Sequence, residues 1–572
     1  MAPRLRGLQI FLVLIGVAVL LRLGYLQIIR HDHYTAMAAS EHNRKYEVPA
    51  ARGQIYLQDG ETKVPLALNQ TLKLLYADPS LIQNKQAVAD KLAAATGEPA
   101  AQYVKAMEGG KEYAVLKTRV DESTAAKIQK LNLKGVGLIN QNYRTYPEGS
   151  LASQLLGFVN NDNVGQYGIE GHLDKELRGT PGLLNAKTDT NGIPIATSDN
   201  LSKAPINGTS LTLTIDRNIQ AQAEKFLKEG VENVRADSGS IIVVDPNTGA
   251  VKAMANFPTY DPNEYVKTKD YRNFENATVT NAFEPGSGFK IITLAAGLDT
   301  GKIKPSTTFV DPGCIEMSKY KICNADGHKG EGNTDMTTVL RDSLNTGVIF
   351  VLRQLGTNPN AITPVAKEVF HSYIVDRFQF GRKTGIEQAG EARGVINPPK
   401  SNDVNYANMT FGQGESVTML QMAAAISAIA NKGTYYRPYL VEERQLADGS
   451  KKRTKPHVVK EQVISESAAK DLTAMMEVVV QRGSGYLAKT PGYNIAGKTG
   501  TAQVPNPKGA GYLEDVNIGT FVGFAPAEDP KFVVMVRINH PRVPGFAEKT
   551  TVPVFANLTR WLLQYYKVPP SS

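Results

Sequence analysis

The sequence predicts a mixed α/β, multidomain protein: an N-terminal transmembrane helix, an elongated α+β pedestal domain, and a larger domain whose antiparallel sheet is flanked by helices. Three observations predict it. The chain has 572 residues, more than one hydrophobic core usually organises. A long apolar run lies near its start. After Ser210, strand patterns cluster at both ends of the remaining sequence, with helical patterns between them.

The first element is the apolar run Leu8–Ile29, LQIFLVLIGVAVLLRLGYLQII, close to the roughly 20 residues that cross a bilayer. Arg4 and Arg6 precede it, so residues 1–7 are expected as a short cytoplasmic tail, 8–29 as the anchor, and everything later outside the cytoplasm. Arg22 must snorkel to the outer interface or face a partner helix. Ala36-Met37-Ala38 resembles a signal-cleavage site, but it lies too far downstream of a run that is also too long, which favours an uncleaved anchor.

Composition is ordinary for a globular protein, and the formal charge of +9 is spread along the chain. No helix-turn-helix, zinc-finger or RNA-reading pattern accompanies that charge, so no nucleic acid partner is expected. The excess suits anionic headgroups or polymers, or a plain solvated surface. Cys314 and Cys323, both on the expected outer side, read as a local disulfide, as two free thiols, or with His328 as a metal site, which their spacing does not favour. No metal or cofactor is expected.

Residues 30–209 read as the pedestal: short strand patterns broken by Gly and Pro turns, with no cluster of catalytic residue types. Asp189–Gly208 looks like a linker or exposed hairpin. The larger domain, 210–567, opens with the strand SLTLTID and a helix from Arg217 to about Val234. Ser240–Val244 and Ala250–Ala255 flank the turn Asp245-Pro246-Asn247-Thr248-Gly249 as a hairpin. GKTGTAQV, NIGTFVGFA and KFVVMVRIN are three later strands, Val552–Tyr566 is a terminal helix, and these elements sum to one antiparallel sheet. Residues 568–572 are expected to fray.

The sharpest chemical signal is Glu284-Pro285-Gly286-Ser287-Gly288-Phe289-Lys290. Ser287 could be a simple helix N-cap. Three details speak against that reading alone. Lys290 stands where a capping box wants Glu or Gln, a cation there opposes the helix dipole, and the following Ile291–Leu298 is apolar all round and so expected to be buried. A serine hydroxyl needs a base beside it, and a lysine three residues on lies one turn away. Desolvation and the positive helix end lower its pKa, so that it can accept the proton.

Ser343-Leu344-Asn345 and Lys498-Thr499-Gly500-Thr501 complete the ordered trio S-x-x-K, S-x-N, K-T-G, which marks penicillin-binding proteins and class A β-lactamases. Lys383-Thr384-Gly385 also reads K-T-G, but in a loop context. Strand patterns surround Lys498 instead.

With these motifs the chain resembles class B penicillin-binding proteins, the peptidoglycan D,D-transpeptidases, over nearly its whole length. RGQIY at Arg52, RTYPEG at Arg144 and GQYGIEGHLDKELRGTPG at Gly165 are family-like in the pedestal, as are LTIDRNIQ, VVDPNTGAVKAMANFPTYDPN, FGQGESVTMLQMAAA and TFVGFAPA beyond it. Gly288 and Leu344 depart from residues frequent in the family, and LQDGETKVPLALN follows Arg52 in place of an Asp-rich pattern. No glycosyltransferase domain fits between the anchor and Ser210. The ending TVPVFANLTRWLLQYY looks more like division-type than elongation-type members.

The resemblance implies that Ser287 attacks the penultimate D-Ala carbonyl of a stem peptide, with Lys290 as base. Ser343 and Lys498 would shuttle a proton, Asn345 would position the peptide, Thr499, Gly500 and Thr501 would bind substrate, and the Ser287 and Thr501 amides would form an oxyanion hole. A stem-peptide amine would accept the acyl group, and β-lactam antibiotics would acylate the same serine. Expected protein partners are a membrane glycan polymerase and division or elongation proteins. Hydrolase and β-lactam-sensor readings share the motifs. The anchor and pedestal count against the first, and the short cytoplasmic tail against the second.

Overall fold

The computed structural model describes residues 2–34, 43–48, 50–109, 113–187, 201–325, 330–505, 509, 511–543 and 545–571. The chain forms two compact units, Met1–Gly53 with Arg178–Thr209, and Gln54–Leu177 with Ser210–Ser572.

In the first unit, helix α1 (Ala2–Gly24) continues into a π-helical turn, Tyr25–Ile29, and this helix is long and apolar enough to cross a membrane. The guanidinium of Arg22 lies 5.5 Å over the Tyr25 ring, which turns it toward the end of the apolar run. Strand Asn43–Val48 pairs antiparallel with Gly182–Lys187, which pairs antiparallel with Leu201–Lys203. A strand inside the expected linker, Leu201–Lys203, thus pairs with the strand just before it as hairpin arms do, while residues 188–200 lie outside the described residues.

The second unit is organised by a five-stranded antiparallel sheet. Its strands are β1 (Ser238–Val244), β2 (Val251–Phe257), β3 (Ala496–Pro505), β4 (Tyr512–Ala525) and β5 (Phe532–Asn539), in the order β2-β1-β5-β4-β3. The β1–β2 turn forms as its residues dictate. The Asp245 carboxylate accepts from the Asn247 amide and the Thr248 hydroxyl, and Gly249 takes φ +77° to close the hairpin.

Alternation along these strands splits two apolar faces. Ile241, Val243, Val534, Val536 and Ile538 pack against α2 (Arg217–Asn233) and α7 (Ala547–Tyr565). Ile242, Val244, Val533 and Met535 face the opposite layer. That layer holds α3 (Lys290–Asp299), α4 (Asn345–Gln354), α5 (Met419–Ala430) and α6 (Glu466–Arg482). Helix α3 is buried from Lys290 to Leu298, as its all-round apolar pattern requires. A capping box between Thr418 and Gln421 starts α5, every residue of which is buried.

Three sequence expectations change. Strand Ser210–Asp216 does not join this sheet. It pairs parallel with Ile55–Asp59 and antiparallel with Val441–Gln445 in a seven-stranded sheet, and its five central residues are buried on both faces. Helix α7 begins five residues before Val552 and carries Pro553 inside, although proline usually marks a helix start. Residues 568–571 of the tail are tied down rather than frayed, because Ser571 N donates to Gly492 O, Tyr493 donates to Val568 O, and Pro570 packs on Gly492.

The family-like segments of residues 54–177 interlock. Arg144 and Glu170 form a buried ion pair at 2.6 Å, and the Tyr146 hydroxyl accepts from the Val159 amide. Glu148 pairs with Arg217 at the start of α2. Cys314 and Cys323 face each other across a two-stranded hairpin and are disulfide-bonded, which answers the three alternatives left open by the sequence. His328 lies outside the described residues.

Candidate active site

Ser287 is not a helix N-cap. It sits inside a 3-10 turn, Gly286–Phe289, that feeds α3 from Pro285, and no side chain caps that turn. The sharp entry needs Gly286, whose φ is +57°. The turn leaves Ser287 half-buried among buried neighbours, while Lys290 one turn on is fully buried.

The Lys290 amine does not hydrogen-bond Ser287. It donates to the Ser343 carbonyl and, at 3.1 Å, to the Ser343 hydroxyl. Ser343 adopts φ +62°, which turns both of its oxygens toward that amine. Such a conformation costs a non-glycine residue about 1–3 kcal/mol and persists only where surroundings impose it. From the other side, Lys498 Nζ of β3 donates to the same Ser343 hydroxyl at 3.2 Å. Lys290, Ser343 and Lys498, 208 positions apart from first to last, therefore form one contiguous chain of polar groups.

Both amines are depressed. Burial, then the neighbouring Lys498, holds Lys290 well below the ordinary lysine value. Burial lowers Lys498 to about 7, against the weaker pull of Asp342 and Glu548. Neither lysine has a carboxylate partner among the described residues, so burial favours the neutral amine at Lys290 and leaves Lys498 close to half protonated at neutral pH.

The backbone of β3 lies directly on the turn that carries Ser287. A Cβ on Gly500 would stand 2.8 Å from the Pro285 carbonyl, 3.2 Å from the Gly288 amide nitrogen and 2.4 Å from Thr520 Oγ1. A Cβ on Gly286 would stand 2.7 Å from the Thr501 carbonyl, and one on Gly412 2.1 Å from the Gly286 carbonyl. Only glycine permits these approaches. Thr499 is buried, and its hydroxyl bonds to Ser484 Oγ at 2.6 Å. Thr501 Oγ1 accepts from the Ala547 amide.

Asn345 opens α4, and its Nδ2 donates to the Cys323 carbonyl at 2.8 Å. The adjoining residues are held by Asp311. Its carboxylate accepts from the Thr346 hydroxyl, from Asn324 Nδ2, and from the amides of Gly313 and Glu331. The rival Lys383-Thr384-Gly385 lies in a loop, where the Thr384 amide and hydroxyl donate to Glu391.

Residues 239–560 match the penicillin binding protein transpeptidase domain family, and residues 47–213 the penicillin-binding protein dimerisation domain. The chain is a penicillin-binding protein. It is 33% identical over 98% of its length to stage V sporulation protein D of Bacillus subtilis, spanning 86% of that protein. It is 31% identical to the peptidoglycan D,D-transpeptidase FtsI of Escherichia coli, covering 98% of this chain and 91% of the relative. The crystal structure of penicillin-binding protein 3 from Mycobacterium tuberculosis complexed with aztreonam superposes with a TM-score of 0.71 at 27% identity, covering 92% and 98% of the two chains. The paired domains make this penicillin-binding protein class B, as the sequence resemblance implied.

Sequence reasoning missed Ser484 and Asp311 of this penicillin-binding protein. Ser484 stands between Gly483 and Gly485, a local cue without chemistry of its own. Asp311, 34 positions from Asn345, carries no motif at all.

Proposed function

We propose that this protein is a peptidoglycan D,D-transpeptidase in which Ser287 is the nucleophile. The observation that carries the reading is the contiguous Lys290–Ser343–Lys498 chain, two depressed amines on one hydroxyl, at the turn that bears Ser287.

Ser287 Oγ passes its proton to Lys290 as it attacks the carbonyl carbon of the penultimate D-Ala, and the Ser287 and Thr501 amides take the developing oxyanion. The C–N bond breaks, the leaving amine collects a proton through Ser343 and Lys498, and D-Ala departs. The neutral amine of a second stem peptide then attacks the ester carbonyl, the C–Oγ bond breaks, and the proton the amine loses returns through Lys290 to Ser287 Oγ. Asn345 positions the peptide amide, and Thr499, Gly500 and Thr501 bind the donor along the edge of β3. A β-lactam offers its ring amide to the same serine and is held as an ester.

In the cell the chain is a single-pass protein with residues 1–7 in the cytoplasm, 8–29 in the membrane, a pedestal to residue 209 and the catalytic domain, 210–567, outside. It works in division rather than elongation, beside a membrane glycan polymerase. Penicillin-treated full-length protein should gain one drug mass on the peptide containing Ser287, read by mass spectrometry. Modification elsewhere, or persisting in Ser287→Ala, would overturn the reading.

A further inference from the structure

A cavity of about 750 Å3, lined by both polar and apolar side chains, opens on the N-terminal side of Ser287. It is bordered by Phe283 and Glu284, by Gly414–Ser416, and by Gln503 and Val504, two and three residues beyond Thr501 on β3. The bordering segments are fixed. Phe283 and Val417 exchange backbone hydrogen bonds at 2.9 and 3.0 Å, and Gly286 N donates to Gly412 O at 3.0 Å. Glu284 precedes Ser287 by three residues, so the two Cα atoms lie within about 11 Å.

Polar groups without partners collect here. Among the described residues, both Glu415 oxygens, Arg537 Nε, Asn539 Oδ1 and Thr280 Oγ1 are buried without a hydrogen bond, and all four residues line this cavity. Glu415 is 2% exposed and Arg537 1%. Buried polar groups are almost always satisfied, so such a concentration at one cavity asks for a polar occupant.

The charges say which kind. Asp270 is matched by Arg272, and Asp237 by Arg542. Among the described residues neither Glu284 nor Glu415 has a cationic partner, and their carboxyls repel one another. Burial, then the charge of Glu284, pushes Glu415 well above the usual carboxyl range, so this carboxyl keeps its proton unless a cation pairs with it. Arg537 is held by the Asn281 carbonyl and lies 4.7 Å over the Phe283 ring. Its Nε can donate to a carbonyl or carboxylate.

We propose that this cavity receives the amine-bearing acceptor peptide, with its ammonium at Glu284 and Glu415, where it gives up a proton to a carboxylate before the neutral amine attacks the Ser287 ester, and with its carbonyl or carboxylate end at Arg537. The inference rests on the transpeptidase reading above, and assigns the acceptor side a place apart from the Lys290–Ser343–Lys498 chain.

The test uses the full-length chain in detergent micelles, a peptide donor ending in D-Ala-D-Ala, and D-lysine as acceptor. The ratio of D-lysine adduct to hydrolysed donor is read by mass spectrometry. Because only acylated molecules enter that ratio, partial misfolding of a variant leaves it unmoved. Glu415→Gln and Glu284→Gln should each lower the ratio at least threefold, while transfer to methanol, which brings no ammonium, keeps its ratio to hydrolysis. A smaller fall in either variant, or an equal fall with methanol, would overturn the inference. If the unaltered chain releases no D-Ala at all, the transpeptidase reading falls instead.

Discussion

Replacing Lys498 with methionine should stabilise the protein while silencing it. Burial brings the Lys498 amine from 10.5 to about 7. At ~1.4 kcal/mol per tenfold, that drop is a folded-state cost of about 5 kcal/mol at any pH low enough to charge the amine in both states. Because the folded value is the depressed one, between about pH 7 and 10.5 the unfolded chain binds a proton that the folded chain does not, and the stability of the parent rises with pH. Methionine occupies similar volume without a charge. It forfeits hydrogen bonds to Ser343 Oγ and Thr499, each worth about 1 kcal/mol. The net gain should be about 2–3 kcal/mol near pH 6 and vanish by about pH 9. Urea unfolding followed by the fluorescence of the single tryptophan, Trp561 in α7, measures it, with penicillin labelling in parallel. A variant less stable than its parent at pH 6, or a difference that does not shrink as pH rises, would refute burial as the source of the depressed amine.

Further outcomes follow from the same geometry. Gly500→Ala should slow acylation at least ~100-fold and cost about 1–3 kcal/mol, because its Cβ meets the Pro285 carbonyl and Gly288 nitrogen and the backbone cannot yield; stopped-flow labelling with fluorescent penicillin checks the rate. Acylation by a neutral β-lactam should decline as pH falls through about 7, where Lys498 takes its proton; a flat rate between pH 5 and 8 would contradict this. Asp311→Asn should slow acylation about 10-fold by loosening the segment that holds Asn345. Its effect should be largely absorbed in an Asn345→Ala background, and fully additive losses would show that Asp311 does not act through Asn345.

The local geometry of the candidate site was legible because it is written in short strings. Ser287 and Lys290 share one turn, and the apolar helix behind them announces a buried amine before any coordinates exist. The hairpin of β1 and β2 was equally local, since Asp245 and Gly249 carry its turn. Ser210–Asp216 was misplaced for the opposite reason: alternation shows that a segment is a strand but not which neighbour it pairs with, and its partners lie about 160 and 230 positions away. The contact of Lys290 with Ser343 instead of Ser287 depends on a positive φ at residue 343 that no residue type signals. Glu415, Arg537 and Asp311 acquire meaning only through burial among segments remote in sequence.

The three glycines at 286, 412 and 500 lay main chain on main chain against the turn that bears Ser287, the floor of the candidate site, and this decides where that site can evolve. A lineage under drug selection cannot reshape the floor by adding even one methyl group without disturbing the serine it needs. Gly288 is different, for a Cβ there would find only Met422 Cε at 3.8 Å. Tolerated variation should therefore collect at position 288 and along the rim, leaving the three floor positions invariant in any resistant descendant that still builds wall.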